Sequence, residues 1–222
     1  MHLHPFTLAE TEAYLHRRGV TLDHYDVVQT YMLTGGVAYY LSYFHPGLSL
    51  AENIDAIYFA ENGFLQTEYD RLFTSLFADS AGYRRIVETL CENRYGLTRE
   101  ALAAKAGIAL GGTLSNMLMA LVKSDLVSMY WNFGESKRTQ YYKLTDMFCL
   151  FYLGFVQRNL TNNRTYWYDN QNSPKLNSWR GRAFEDVCFV HQMEVKAALG
   201  ISGVQAEVYP WHATAEGNAP GA

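Results

Sequence analysis

The sequence predicts a mainly α-helical chain with a winged helix-turn-helix near its middle. Two observations carry this prediction. Between residues 82 and 145, three amphipathic helical segments are followed by two runs rich in aromatic and β-branched residues. Elsewhere, apolar residues mostly recur every three to four positions, which is typical of helices that bury one face. With 222 residues, 49% of them apolar, the chain can bury a core and form one or two domains.

The first three elements of the central segment are helices, predicted at residues 83–93, 98–106 and 114–124. Thr98 starts the second helix, because its side-chain oxygen can accept from the free backbone amides of the first turn. Gly107 ends that helix. The third helix follows after a short turn, so it takes the position of a recognition helix.

Two β-strands are predicted to follow, at residues 126–133 and 139–144. The five residues between them include Gly134, Lys137 and Arg138, so the strands form a hairpin with a charged tip. This hairpin is the predicted wing.

The winged helix predicts contact with double-stranded DNA. The candidate contacts are Ser115, Asn116 and Lys123 on the third helix and Lys137 and Arg138 at the wing tip. A protein-interaction or purely structural role stays open, because Lys123 is the only basic residue on that helix and a phosphate footprint usually needs several.

The overall charge allows only a local basic patch. A net charge of −4 and a pI near 6.0 argue against nucleic-acid or membrane binding over the whole surface. The three cysteines, Cys91, Cys149 and Cys188, are widely separated in apolar patterns, and we expect buried thiols in a reducing cytoplasm. No apolar run approaches the roughly 20 residues that a membrane span needs, so no membrane partner is expected.

Residues 1–80 predict a small all-helical bundle. Its helices are expected at residues 8–18, 22–33, 37–44, 50–59 and 65–76. Thr7 with Glu10 forms a capping-box pattern at the first helix, and Ser49 caps the fourth. The histidines of this region lack the spacing of metal ligands, so no metal site is predicted.

Three further elements are predicted after the wing. An apolar helix at residues 146–160 should pack against the winged helix, and residues 161–174 should form a polar linker loop at a domain boundary. A helix at residues 176–199 should direct Trp179, Ala183, Val187, Val190 and Met193 to one side, before a strand at residues 204–209.

Several separated motifs carry a resemblance that spans almost the whole chain. They are LHPFTL at residues 3–8, YMLTGGVAYYL at 31–41, NID at 53–55, SLF at 75–77, GLTR at 96–99 and W-x-G-x-x-FE at 179–185. In this order they resemble the predicted AAA+ (STAND-like) ATPases of bacteria and archaea, which end in a restriction-endonuclease-like domain.

The resemblance implies a P-loop ATPase core, then a helical lid, a winged helix and a nuclease-like domain. This sequence contains no G-x-x-x-x-G-K-[ST] motif, so it resembles the family from the lid onward. The implied units are a helical lid-like bundle at 1–80, a winged helix with a packing helix at 81–160, and a linker with an incomplete α/β nuclease-like domain at 161–222. ATP and Mg²⁺ are implied for the full-length family and no cofactor for this chain alone, with the missing ATPase core as a partner.

Two candidate sites follow from the resemblance. The turn at Gly35 and Gly36 resembles a nucleotide-facing lid motif, although Ala38 stands where the family usually has proline. A helix–helix turn that needs glycine for its backbone conformation is the alternative.

Glu185 resembles the first catalytic carboxylate of the nuclease-like domain, where a helix glutamate joins a later aspartate and a Glu-x-Lys strand to hold a metal. Those later ligands are not found before residue 222. The alternative is an ion pair of Glu185 with Arg180, Arg182 or another nearby basic side chain.

Two functions of different class therefore remain. The chain is either a fragment of such an ATPase, with no ATP hydrolysis of its own, or a stand-alone winged-helix protein that binds DNA or another protein. As a fragment, it should expose an apolar helix face around Trp179 and Phe184.

Overall fold

The computed structural model describes residues 4–131, 139–159 and 162–205, and these residues are mainly helical. A small three-stranded antiparallel sheet accompanies the helices. Five helices come before the central segment: α1 (Leu8–Arg17), α2 (His24–Thr34), α3 (Ala38–Leu41), α4 (Leu50–Ile54) and α5 (Glu68–Leu76). The helices of the central segment and beyond are α6 (Ser80–Glu92), α7 (Arg99–Ala106), α8 (Gly112–Lys123), α9 (Met147–Phe151), α10 (Tyr166–Asn170), α11 (Pro174–Val190) and α12 (Gln192–Ala198). The strands are β1 (Leu97–Thr98), β2 (Val127–Tyr130) and β3 (Tyr141–Leu144).

The N-terminal helices begin where their capping residues stand. The Thr7 side chain accepts from the Glu10 amide while the Glu10 carboxylate accepts from the Thr7 amide, which confirms the predicted capping box. Ser49 and Glu52 repeat this arrangement at α4. Such caps satisfy amides that the first turn of a helix leaves free, so the starts of α1 and α4 are determined locally.

Two helices continue as π-helical turns. Helix α4 continues into Asp55–Phe59 and α9 into Tyr152–Val156. Helix α9 packs mainly on α2, and its π-helical turn contacts α6. The predicted apolar helix at 146–160 therefore lies between the N-terminal bundle and the central segment.

Residues 80–145, the central unit, combine α6, α7 and α8 with the three strands. The sheet order is β1-β3-β2, and both pairings are antiparallel. Val127 lies opposite Leu144, and Tyr130 lies opposite Tyr141. The buried side chains of this unit are largely aliphatic: Ile86, Val87, Leu90, Leu102, Leu114, Leu118, Leu121, Leu126, Val127 and Leu144.

The C-terminal region differs from its prediction in four ways. The predicted loop at 161–174 contains helix α10, whose Trp167 is buried. The predicted helix at 176–199 is interrupted at His191, which ends α11 and precedes α12. Val190 and Met193 are exposed rather than directed inward. Val204 lies outside any strand, and residues 206–209 are outside the described residues.

The apolar face predicted around Trp179 is covered. Trp179 is buried, because its ring packs against those of Phe151, Phe155 and Trp167, whereas Phe184 is half exposed.

The cysteines also differ from expectation. Cys149 is buried and Cys91 is partly buried, but Cys188 is exposed. Across the described residues, no helix combines the length and apolar character needed to cross a membrane.

Candidate nucleic-acid interface

Helix α8 has one buried face and one exposed face. Leu114, Leu118 and Leu121 are buried because they recur at helical spacing against α6 and β2. The opposite side, which we call the α8 stripe, is exposed and consists of Thr113, Asn116, Met119 and Lys123. The predicted contacts Asn116 and Lys123 therefore both face outward. The stripe offers one amide, one hydroxyl and one cation.

Ser115 points elsewhere. It is half-buried, and its Oγ accepts a hydrogen bond from Arg99 Nη1 on α7 at 2.9 Å. The two residues line a groove of about 430 Å³ between α7, α8 and β3, together with Gln140 and Tyr142. Ser115 thus belongs to the groove beside the stripe, and Arg99 is a further cation there.

The charge in this groove is mixed. Arg99 Nε lies 3.5 Å from a carboxylate oxygen of Glu100, which offsets part of the guanidinium charge. Burial raises the pKa of Tyr142, and nearby Arg99 counteracts part of that rise. At neutral pH the groove therefore presents a neutral phenol hydroxyl next to a guanidinium.

The start of α8 is open to solvent. Gly111, its N-cap residue, has no side chain to accept from the first amides, and Gly111, Gly112 and Thr113 are exposed. The positive end of the helix dipole is consequently accessible beside the stripe.

Strands β2 and β3, which pair antiparallel, are the two strands that flank the predicted wing tip. The last described pair is Tyr130 with Tyr141, whose rings stack at 5.7 Å. The candidate contacts Lys137 and Arg138 lie outside the described residues.

Sequence reasoning missed Arg99 as a groove residue. The sequence does indicate where Arg99 lies along the chain. Thr98 caps α7, so Arg99 is the first residue of this helix, at the end nearest β1. Its contact with Ser115 depends on how α7 packs against α8, which spacing alone does not show.

The glycine turn after α2 has a backbone explanation. Gly35 and Gly36 both have positive φ, +60° and +72°. Gly35 ends α2, and the Gly36 carbonyl accepts from the Phe6 amide at 2.9 Å. A Cβ on Gly36 would collide with the Phe6 carbonyl oxygen and the Tyr31 ring. Gly35 is therefore favoured by the left-handed conformation that ends α2, and Gly36 by its own positive φ and by the packing of residue 6 against it.

Glu185 and its neighbour Asp186 have opposite environments. Glu185 is exposed on α11, whereas Asp186 is 6% exposed and contacts Lys143 at 2.7 Å and Arg94 at 3.2 Å. Within the part of the chain that the structure describes, no three His, Cys, Asp or Glu side chains are grouped so that they could hold a metal.

Comparison of the chain with protein-family models, with curated proteins and with solved structures gave no match.

Proposed function

We propose that the central unit, residues 80–145, is a winged helix-turn-helix that contacts double-stranded DNA. The observation that carries this proposal is the exposed polar stripe on α8, which lies beside a groove containing Arg99 and next to a β-hairpin. A helix that exposes Asn116 and Lys123 can reach base edges and phosphates, and the hairpin can contact the adjacent backbone.

The wider proposal places this unit in an AAA+-type ATPase. The helical bundle would then be the lid-like part, residues 161–222 the start of a nuclease-like domain with Glu185 as its first carboxylate, and a separate P-loop core would bind ATP and Mg²⁺. The order of the motifs along the chain supports this assignment. We expect that ATP with Mg²⁺ alone leaves the melting temperature of this chain unchanged. A ligand-dependent rise would contradict the assignment of nucleotide binding to the core alone.

DNA binding is tested by fluorescence anisotropy of a labelled duplex in a series of salt concentrations. We expect affinity to fall with salt, and Lys123→Ala to weaken binding and reduce the log–log salt slope by about 1, because one phosphate contact releases about 0.9 counterion. Arg17→Ala is the matched control: it removes one exposed positive charge from α1, far along the chain from the stripe.

The wing is tested by replacing Lys137 and Arg138 together with alanine. If both contact phosphates, the salt slope should fall by about 2. Binding indistinguishable from that of the unmodified chain would exclude the wing contact and leave α8 as the only remaining interface.

Docking of a protein partner is the second candidate, and exposed apolar residues on the central unit favour it. Leu110, just before α8, is 53% exposed, and Met119 within the stripe is 51% exposed. If the duplex does not bind at any salt concentration, or if Lys123→Ala and Arg17→Ala bind equally well, this second function replaces the first at α8.

A further inference from the structure

Helix α11 is firmly attached to the N-terminal bundle along its first half. Leu176, Trp179 and Ala183 are buried, and the helix packs on α2. Arg180 Nε donates to Gln29 Oε1 on α2 at 2.8 Å. This attachment is mainly apolar, so screening by salt does not weaken it.

The second half of α11 contacts the central unit through charge. The Asp186 carboxylate accepts from Lys143 Nζ, on β3, at 2.7 Å and from Arg94 Nη2, just after α6, at 3.2 Å. The Lys143 ammonium also lies 6.0 Å from the centre of the Phe189 ring. A single buried carboxylate thus joins α11 to two separate segments of the central unit.

The ionic contact is the more easily opened of the two attachments. The side chains of Arg94 and Lys143 are 25% and 19% exposed, so water and ions can reach the cations once Asp186 moves away. Taking charges out of water offsets much of the attraction between them, and salt weakens the remainder.

The central unit has another attachment on the α5 side. The rings of Phe77 and Tyr83 stack at 3.8 Å, and the Arg84 guanidinium donates to the Asp70 carboxylate. The π-helical turn that continues α9 also contacts α6. If the Asp186 contact opens, these contacts still hold the unit on its α6 side, and the junction between α5 and α6 can act as its pivot.

We propose that α11 is a strap fixed to the bundle, and that the contact of Asp186 with Arg94 and Lys143 is a latch that holds the central unit in one orientation. Opening the latch lets the unit pivot at the α5–α6 junction while the bundle stays folded. This inference does not depend on what α8 binds.

Hydrogen–deuterium exchange of the full chain tests the latch. Asp186→Asn keeps the side-chain volume but removes the charge, and Glu185→Gln is the matched control because the neighbouring residue is exposed. We expect Asp186→Asn to speed exchange about tenfold in peptides covering residues 93–98 and 141–144, with the amides of α2 unchanged. Glu185→Gln should exchange like the unmodified chain.

Salt gives an independent readout on the unmodified chain. Raising ionic strength from about 0.1 M to about 1 M shortens the screening length from roughly 10 Å to roughly 3 Å. Because a buried carboxylate is screened less than a surface charge, salt should speed exchange in the same two peptides by less than Asp186→Asn does, and have little further effect in Asp186→Asn. If Asp186→Asn fails to fold, Lys143→Gln removes one of the two cations and carries the same expectation.

Two results would overturn the latch. The first is equal exchange in Asp186→Asn and Glu185→Gln. The second is faster exchange spread evenly over α2 and the central unit, because that pattern means a general loss of stability rather than a local opening.

Discussion

The bundle and the central unit are built from different cores. The largest fully buried side chains in the described residues are aromatic and belong to the bundle and the helices packed on it: Phe44, Tyr58, Phe59, Phe73, Phe148, Phe151 and Trp167. The central unit buries mostly Leu, Ile and Val, and exposes a polar stripe on α8. Aromatic pairs prefer specific ring geometries and contribute about 0.5–1.5 kcal/mol beyond their buried area. The bundle is therefore suited to act as a scaffold and the central unit to present a surface.

The largest expected effect is at Trp167, in the aromatic core. Its ring lies 5.5 Å from that of Phe151 and 5.8 Å from that of Trp179. Trp167→Ala should lower the free energy of unfolding by about 3–5 kcal/mol, because it removes a buried ring and leaves a cavity. Urea unfolding followed by circular dichroism measures this change.

Tyr168→Ala is the neighbouring control, since Tyr168 is 59% exposed. It should cost less than about 1 kcal/mol. A loss at Trp167 as small as the one expected at Tyr168 would mean that α10 contributes no aromatic packing to the bundle, and the contrast between the two cores would fail there.

A smaller effect is expected at the glycine turn of the bundle. Gly36 and Gly47 have similar φ values, +72° and +82°, but a Cβ on Gly47 meets nothing within 4 Å. Gly47→Ala should therefore cost only the strain of a left-handed alanine, about 1–2 kcal/mol. Gly36→Ala should cost roughly 1–3 kcal/mol more, because its methyl group must displace both the Phe6 carbonyl and the Tyr31 ring.

Thermal unfolding of both variants measures the difference. Equal losses would show that the close approach of residue 6 to Gly36 adds no constraint. The positive φ at position 36 would then be the remaining backbone reason for glycine there.

Features determined by local chemistry were predictable from the sequence, and features determined by distant contacts were not. The caps at Thr7 and Ser49 involve residues three positions away. Helix α10 was missed because its segment is rich in polar residues, and the Asp55 carboxylate that accepts from the Trp167 and Tyr168 amides is more than a hundred positions away. A capping residue supplied by another part of the chain leaves no local pattern.

The same reason explains the errors on α11. His191 ends this helix, and its Nε2 accepts from the Leu8 amide at 2.9 Å, a contact that joins the end of α11 to the start of α1. Of the adjacent carboxylates, sequence reasoning selected Glu185, but the cations at positions 94 and 143 lie beside Asp186. Helical periodicity identifies the buried face of an isolated helix, whereas the partners of that face depend on the tertiary fold.

The smallest expected effect concerns Asp146, which lies at the junction between β3 and α9. Its carboxylate accepts from the Cys149 amide at 2.7 Å and caps α9. Burial raises the pKa of Asp146 above its ordinary value of 3.8, and the hydrogen bond from the Cys149 amide offsets part of this rise. Folding therefore favours the protonated carboxyl, and the stability that this group contributes decreases as pH rises from about 3.8 through the raised pKa.

Asp146→Asn removes this titration and keeps a side chain that can cap α9. We expect the variant to gain stability relative to the unmodified chain as pH rises from 4 toward neutrality. Urea unfolding at each pH measures this gain.

Glu52→Gln should behave in the opposite way, because hydrogen bonds from the Ser49 hydroxyl and amide lower the pKa of Glu52. The advantage of the unmodified chain over that variant should disappear as pH falls through the lowered pKa. If the stability difference from the unmodified chain changed with pH in the same way for both variants, the Asp146 carboxyl would be as exposed to water as the Glu52 carboxyl at the start of α4.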